Sequence, residues 1–119
     1  MDKISISEKL NQFTEHWSPK IIGELNGQYV KLVKCKGEFL WHHHEVEDEM
    51  FLIVKGTLRM LFRDHEVILK EGECIIIPAG TEHKPVATEE VHVLLFEPKS
   101  TLNTGNVTNE RTRKKLDSI

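Results

Sequence analysis

The chain has 119 residues, 39% of them hydrophobic, and a formal net charge of -3. That length suits one domain, residues 1–119, with enough apolar material for a real core. The slight acidity provides no global positive field for phosphates, so a nucleic-acid partner is not expected. The first residues, MDKISISEKL, lack the apolar run of a secretion signal, and the longest apolar stretch, Met50 to Val54, is far too short to cross a bilayer. The expectation is a cytoplasmic protein without a membrane partner. Two cysteines, Cys35 and Cys74, are too few and too far apart for a disulfide framework or a zinc ribbon, and read as reduced thiols in strand cores.

Taken in order, Ser5-x-x-Glu8 forms a capping-box pattern that opens a short helix. In it Ile6, Leu10, Phe13 and Trp17 recur at steps of three and four, and Pro19 closes it. Short β-rich runs follow at Ile21 to Leu25 and Tyr29 to Cys35, separated by Asn26-Gly27, the strongest short hairpin signal. Further runs are expected at Phe39 to His44, Glu49 to Val54, Thr57 to Phe62, Val67 to Leu69, Cys74 to Ile77 and Val91 to Phe96. Gly56, Asp64-His65, Glu71-Gly72 and Ala79-Gly80 supply the breaks. Many short strands with regular turns imply a sandwich or a barrel over about residues 20–98. The polar segment from about 100 to 119, with Arg111, Arg113, Lys114 and Lys115 near its end, reads as a solvated tail. Its stretch Leu102 to Asn106 could instead cross a dimer partner or lid a cavity.

The chemistry-bearing residues are concentrated in GEFLWHHHEVEDEMFLIVKG and GECIIIPAGTEHKP. On an extended strand His42 and His44 share a face while His43 points to the other, as a chelating pair requires. His44 and Glu49 are an odd number of residues apart, so an unbroken strand would separate them. A turn over Glu45 to Asp48 lets a new strand start and return Glu49, Phe51 and Ile53 to the interior, with Met50, Leu52 and Val54 on the other face. Both faces are apolar. The outer one therefore needs a cover, and a second copy of the chain is the expected one, giving a homodimer. Pro78 ends one strand and Gly80 permits the tight turn that delivers His83. His42, His44, Glu49 and His83 are thus candidate metal ligands. Imidazoles with one carboxylate suit iron, manganese, nickel, copper or zinc.

These spacings resemble those of the cupin family. The first cupin motif is matched by Gly37, His42, His44, Glu49 and Gly56, with the gap from Gly37 to His42 one residue short. The second is matched by Gly72, Pro78, Gly80 and His83, but Ala87 stands where the family has asparagine, a position that makes a local contact and is not itself a metal ligand in the pattern. The resemblance implies an all-β double-stranded β-helix, a jelly-roll barrel of the RmlC-like type, with a short N-terminal helix and a polar C-terminal tail. It also implies one divalent transition metal per chain bound by His42, His44, Glu49 and His83, and a small-molecule ligand or substrate. Dioxygenase, decarboxylase or isomerase chemistry follows as an expectation. A non-catalytic ligand-binding or sensor module is the alternative, and a metal-free, epimerase-like use of the histidines is a third reading. With Glu49 taken as a ligand, an acid or base would come from elsewhere, with Arg59, Lys84 and His92 as candidates. Arg59 fits a solvated strand face better, and His92 is a possible substrate contact. His43 is expected at the surface or an interface, and His16 and His65 carry no ligand role. No phosphate-cradling loop or nucleophile elbow is present.

Overall fold

The computed structural model describes residues 1–119 as one helix and seven strands. Helix α1 covers Ile6–Leu10, and the strands are β1 Lys20–Leu25, β2 Gln28–Glu38, β3 Glu49–Lys55, β4 Leu58–Leu61, β5 Glu66–Leu69, β6 Cys74–Ile77 and β7 Lys84–Pro98. Antiparallel pairing runs β1-β2-β7-β3-β6, and β4 joins β5 on one side and β7 on the other. The fold is an antiparallel jelly-roll barrel. Strand β7 is its spine. Its first part pairs with β4, its second with β3, and its other edge with β2 along most of its length.

The Asn26-Gly27 hairpin forms as expected. Leu25 pairs with Gln28, and both turn residues have positive φ, 50° and 78°, as a two-residue loop matched to strand twist requires. Strand β3 alternates as its parity demands: Glu49, Phe51 and Ile53 are buried, while Met50, Leu52 and Val54 are half-buried. The inward residues of β2, β3, β4, β6 and β7 form one apolar core that includes Val33, Phe51, Met60, Ile77, Val93 and Leu95.

Four expectations are corrected. The helix stops at Leu10, because Asn11 caps it and the Phe13 carbonyl accepts a 2.6 Å hydrogen bond from Lys34 Nζ instead of continuing a helical ladder. The start is as read, with Ser5 Oγ accepting from the Glu8 amide. Phe39 to His44 does not form a strand, since His42 alone makes a β-bridge there, with His83. The last strand is far longer than Val91 to Phe96, because β7 bends past the exposed Thr88, Glu89 and Glu90 to reach β4. Cys74 is exposed on the edge strand β6, whereas Cys35 is buried.

The outer face of β3 is covered in part by the chain itself. Leu10, Phe13 and Leu32 form a second cluster against which Ile22, Val54 and Leu94 pack. The polar C-terminal segment is exposed over much of its length but anchored to the barrel at several points. Thr104 is fully buried, the Ile21 and Ile119 amides donate to Asp117 O and Ile21 O at 2.9 and 3.0 Å, and the free edge of β1 is thereby occupied.

Candidate metal centre

His42 and His44 follow β2 in a stretch held by its neighbours. The His42 and His83 backbones exchange hydrogen bonds of 3.1 and 2.9 Å, and the Gly80 amide donates to His44 O at 2.7 Å. The Pro78-Ala79-Gly80 turn is therefore tied to the histidine strand, and the Ala79 amide also donates to Asp48 Oδ1 at 2.9 Å. Glu49 opens β3 opposite Ile77, immediately before that turn. Local backbone bonding, rather than a continuous ladder, positions the four side chains.

All four come together. One ligand-type atom from each of His42, His44, Glu49 and His83 lies within 4.8 Å of the others, and none of the four residues is more than 4% exposed. The Nδ1 atoms of His42 and His83 each sit 2.9 Å from a carbonyl, those of Leu40 and Thr81. A carbonyl only accepts, so each Nδ1 carries the proton and each Nε2 presents a lone pair to the centre. His44 Nε2 and His83 Nε2 approach Glu49 Oε1 at 3.4 and 3.3 Å. Yet both ring nitrogens of His44, His83 Nε2 and Glu49 Oε1 are buried without a hydrogen-bond partner. Buried acceptors that converge without a donor are costly, and a cation would satisfy them together. Burial, then the neighbouring His83, pushes the His42 imidazole down to about 4, which favours the neutral form that ligates metal. Burial works against Glu49 ionising, but the adjoining Glu97, His44 and His83 side chains outweigh it and hold the carboxyl well below its usual range.

A cavity of about 40 Å³ adjoins His42 and Glu49. Its walls include Trp17, Phe39, Cys35, Phe51 and Leu95, with Glu97 and Asn103 as further polar groups. Trp17 and Phe39 stack with centroids 4.8 Å apart, and Trp17 Nε1 donates to Lys36 O at 2.9 Å. Glu97 is 2% exposed and accepts from the equally buried Lys31 ammonium at 2.8 Å, while its second oxygen has no partner. Burial and the charge on Glu49 push Glu97 well up, against the opposing pull of Lys31.

Sequence reasoning missed Glu97, Lys31 and Trp17, while Asn103 falls in the Leu102 to Asn106 stretch named as a possible cavity lid. Strand parity carried the signal for two of them. Glu97 continues the inward series Val91, Val93, Leu95, and Lys31 the series Val33, Cys35. Trp17 has no such signal, since a left-handed φ of 57° takes it off any helical face. The C-terminal segment reaches the site as well. Asn103 lines the cavity, and Arg111 donates to Glu38 O and lies 5.6 Å from the Phe39 ring.

The remaining candidates lie elsewhere. His43 points away and pairs with Glu45 at 2.7 Å. His92 binds Glu90 at 2.8 Å beside Ile6 and Val54 on the outer surface, so it is not in the cavity. Arg59 pairs with Glu66 across β4 and β5, and Lys84 with Glu38, both as strand-face ion pairs. His16 joins Glu90, and His65 joins Asp64. Ala87, at the asparagine position of the second motif, is fully buried in β7 opposite Gly37.

Fold and cluster together define a barrel protein with a buried three-histidine, one-glutamate centre. The family model described as a cupin domain matches residues 29–97, and the chain belongs to the cupin family. A crystal structure of a cupin-2 domain protein from Shewanella frigidimarina is similar at a TM-score of 0.80 and 46% identity, covering 81% of this chain and 94% of that one. A Neisseria meningitidis protein is similar at a TM-score of 0.76 and 28% identity, covering 82% of this chain and all of that one. The uncharacterised Bacillus subtilis protein YdbB is 37% identical over 75 residues, which span 62% of this chain and 66%, just under two thirds, of that protein. No helix is long and apolar enough to cross a membrane.

Proposed function

We propose that His42, His44, Glu49 and His83 bind one divalent transition metal per chain, and that the centre serves small-molecule metabolism as a dioxygenase, decarboxylase or isomerase site. The convergence of four buried ligand atoms, three of them on rings or a carboxylate lacking other partners, carries this reading. A bound ion supplies Lewis-acid polarisation or, if redox-active, electron transfer. Four protein ligands on an ion that prefers six leave two positions for a ligand. The chain's own part is to exclude water with Trp17, Phe39 and Phe51 and to offer the unpartnered oxygen of Glu97 beside the centre. A cavity of about 40 Å³ holds roughly two or three waters, so the ligand has few heavy atoms or displaces a wall.

A second reading, a non-catalytic ligand-binding or sensor module, draws on the same cavity. Beyond the cluster its titratable groups are Glu97, tied to Lys31, and Cys35, whose thiol is pushed up by burial. Neither is a free acid or base. Acetohydroxamate, a small bidentate ligand, separates the readings when added to iron(III)-loaded protein. A visible charge-transfer band at one equivalent per chain is expected if two adjacent positions are open. Iron bound at full stoichiometry without that band would favour the non-catalytic module.

The proposal includes a cytoplasmic setting, where Cys35 and Cys74 stay reduced, and a homodimer. Ile76, Met50, Phe96 and Val30 are laterally paired across β6, β3, β7 and β2, so they share the outer face, and Ile76 is 64% exposed. A second copy is the partner that would cover this row. Light scattering is expected to give a dimer mass for the wild type and a monomer mass for Ile76→Glu. A monomeric wild type at micromolar concentration would remove the dimer.

A further inference from the structure

Five cations meet in one cleft away from the histidines. Lys31, Lys99, Arg113, Lys114 and Lys115 line a cavity of about 290 Å³ between β2, the end of β7 and the C-terminal segment, and none of its lining residues is acidic. For a chain of net charge -3 this is a local concentration against the overall balance. Two of the five have carboxylate partners outside the lining: Lys99 pairs with Glu24 at 3.0 Å and Lys31 with Glu97 at 2.8 Å. Both ammoniums also approach the Tyr29 ring, at 5.4 and 5.7 Å. The other three have no carboxylate partner, and the Arg113 guanidinium donates only to the Glu110 and Thr112 carbonyls. A second observation is independent of charge. Thr101 is 6% exposed and lines the same cleft, and its Oγ1 is buried with no hydrogen-bond partner.

We propose that this cleft binds a phosphate-type oxyanion, either free phosphate or the phosphate group of a small metabolite. Three uncompensated cations held close repel one another, and a dianion relieves that repulsion. Its several acceptor oxygens match a guanidinium fork, the lysine point charges and the Thr101 hydroxyl, whereas a monoanionic carboxylate would leave more of them unused. The C-terminal segment makes the site, because its backbone bonds to Ile21 bring Arg113, Lys114 and Lys115 to β2. The proposal is independent of the metal reading.

Isothermal titration of the full chain at low ionic strength with inorganic phosphate, and separately with glycerol 3-phosphate, tests it. Saturable one-site binding is expected for at least one of them, and chloride at matched ionic strength should not reproduce it. Lys114→Ala/Lys115→Ala alters only exposed side chains and should weaken binding about tenfold, while Thr101→Val should narrow the preference for phosphate over chloride. Metal content should be unchanged in both variants. Tighter binding of the ester assigns the cleft to a phosphorylated metabolite, and equal or tighter binding of phosphate assigns it to the free ion. No saturable binding of either, equal affinity in the double variant, or an equal response to chloride would overturn the site.

Discussion

Gly105→Ala is expected to unseat the C-terminal segment and lower metal affinity about tenfold or more, although no candidate ligand is replaced. Gly105 has φ 56°, where an L side chain costs roughly 1–2 kcal/mol by itself. Its environment adds to that. A β-carbon there would overlap the His43 carbonyl oxygen and lie 3.1 Å from His42 Cδ2. The next residue holds His43 through both of its backbone groups, since the Asn106 amide donates to His43 O and the His43 amide donates to Asn106 Oδ1, each at 2.9 Å. The alanine variant must either displace the backbone between His42 and His44 or release the segment, and loss of such supporting contacts typically costs 10–100-fold in affinity. Metal titration beside urea denaturation of the same protein checks this. Wild-type values in both would mean that the segment does not brace the histidines.

Lys31→Met should destabilise the fold by about 3 kcal/mol, and Lys31→Met/Glu97→Leu should recover most of that loss. Removing the cation strands a buried carboxyl beside the charge on Glu49. The cost falls at the low end for a buried pair because burial and Glu49 already favour the protonated form of Glu97. Replacing both partners removes the polar groups together and leaves apolar side chains in an apolar wall. Urea denaturation of wild type, single and double variants reads the coupling directly. A single variant as stable as wild type, or a double variant no better than the single, would show that the pair does not support the barrel.

The strands and the candidate ligands were legible because their signals are local and periodic, whereas the choice of a jelly-roll barrel over another sandwich rested on the resemblance to the cupin motifs. Alternation placed Glu49, Phe51 and Ile53 inward, and Asn26-Gly27 fixed a hairpin register. The same alternation would have exposed Glu97 and Lys31, but charged residues on a strand are ordinarily assigned to solvent, and that prior prevailed over parity. The rest depends on contacts distant in sequence. The helix ends early because Lys34 takes the Phe13 carbonyl, and the C-terminal segment is ordered by His43 and Ile21, more than 60 and 90 residues away. Composition describes that segment as polar without indicating that its backbone has partners. Ala87 marks a further limit, since a motif position occupied by asparagine elsewhere in the family is here part of the apolar core.

Elemental mass spectrometry on untagged protein tests whether the four buried side chains hold a metal ion. His44 is the residue to vary, because neither of its ring nitrogens has a hydrogen-bond partner, so alanine breaks no protein contact of that kind. Close to one transition-metal ion per chain is expected in the wild type and a small fraction of that in His44→Ala, with the fold retained. No bound metal after reconstitution with iron, manganese, nickel, copper and zinc, or equal content in the two proteins, would contradict this expectation.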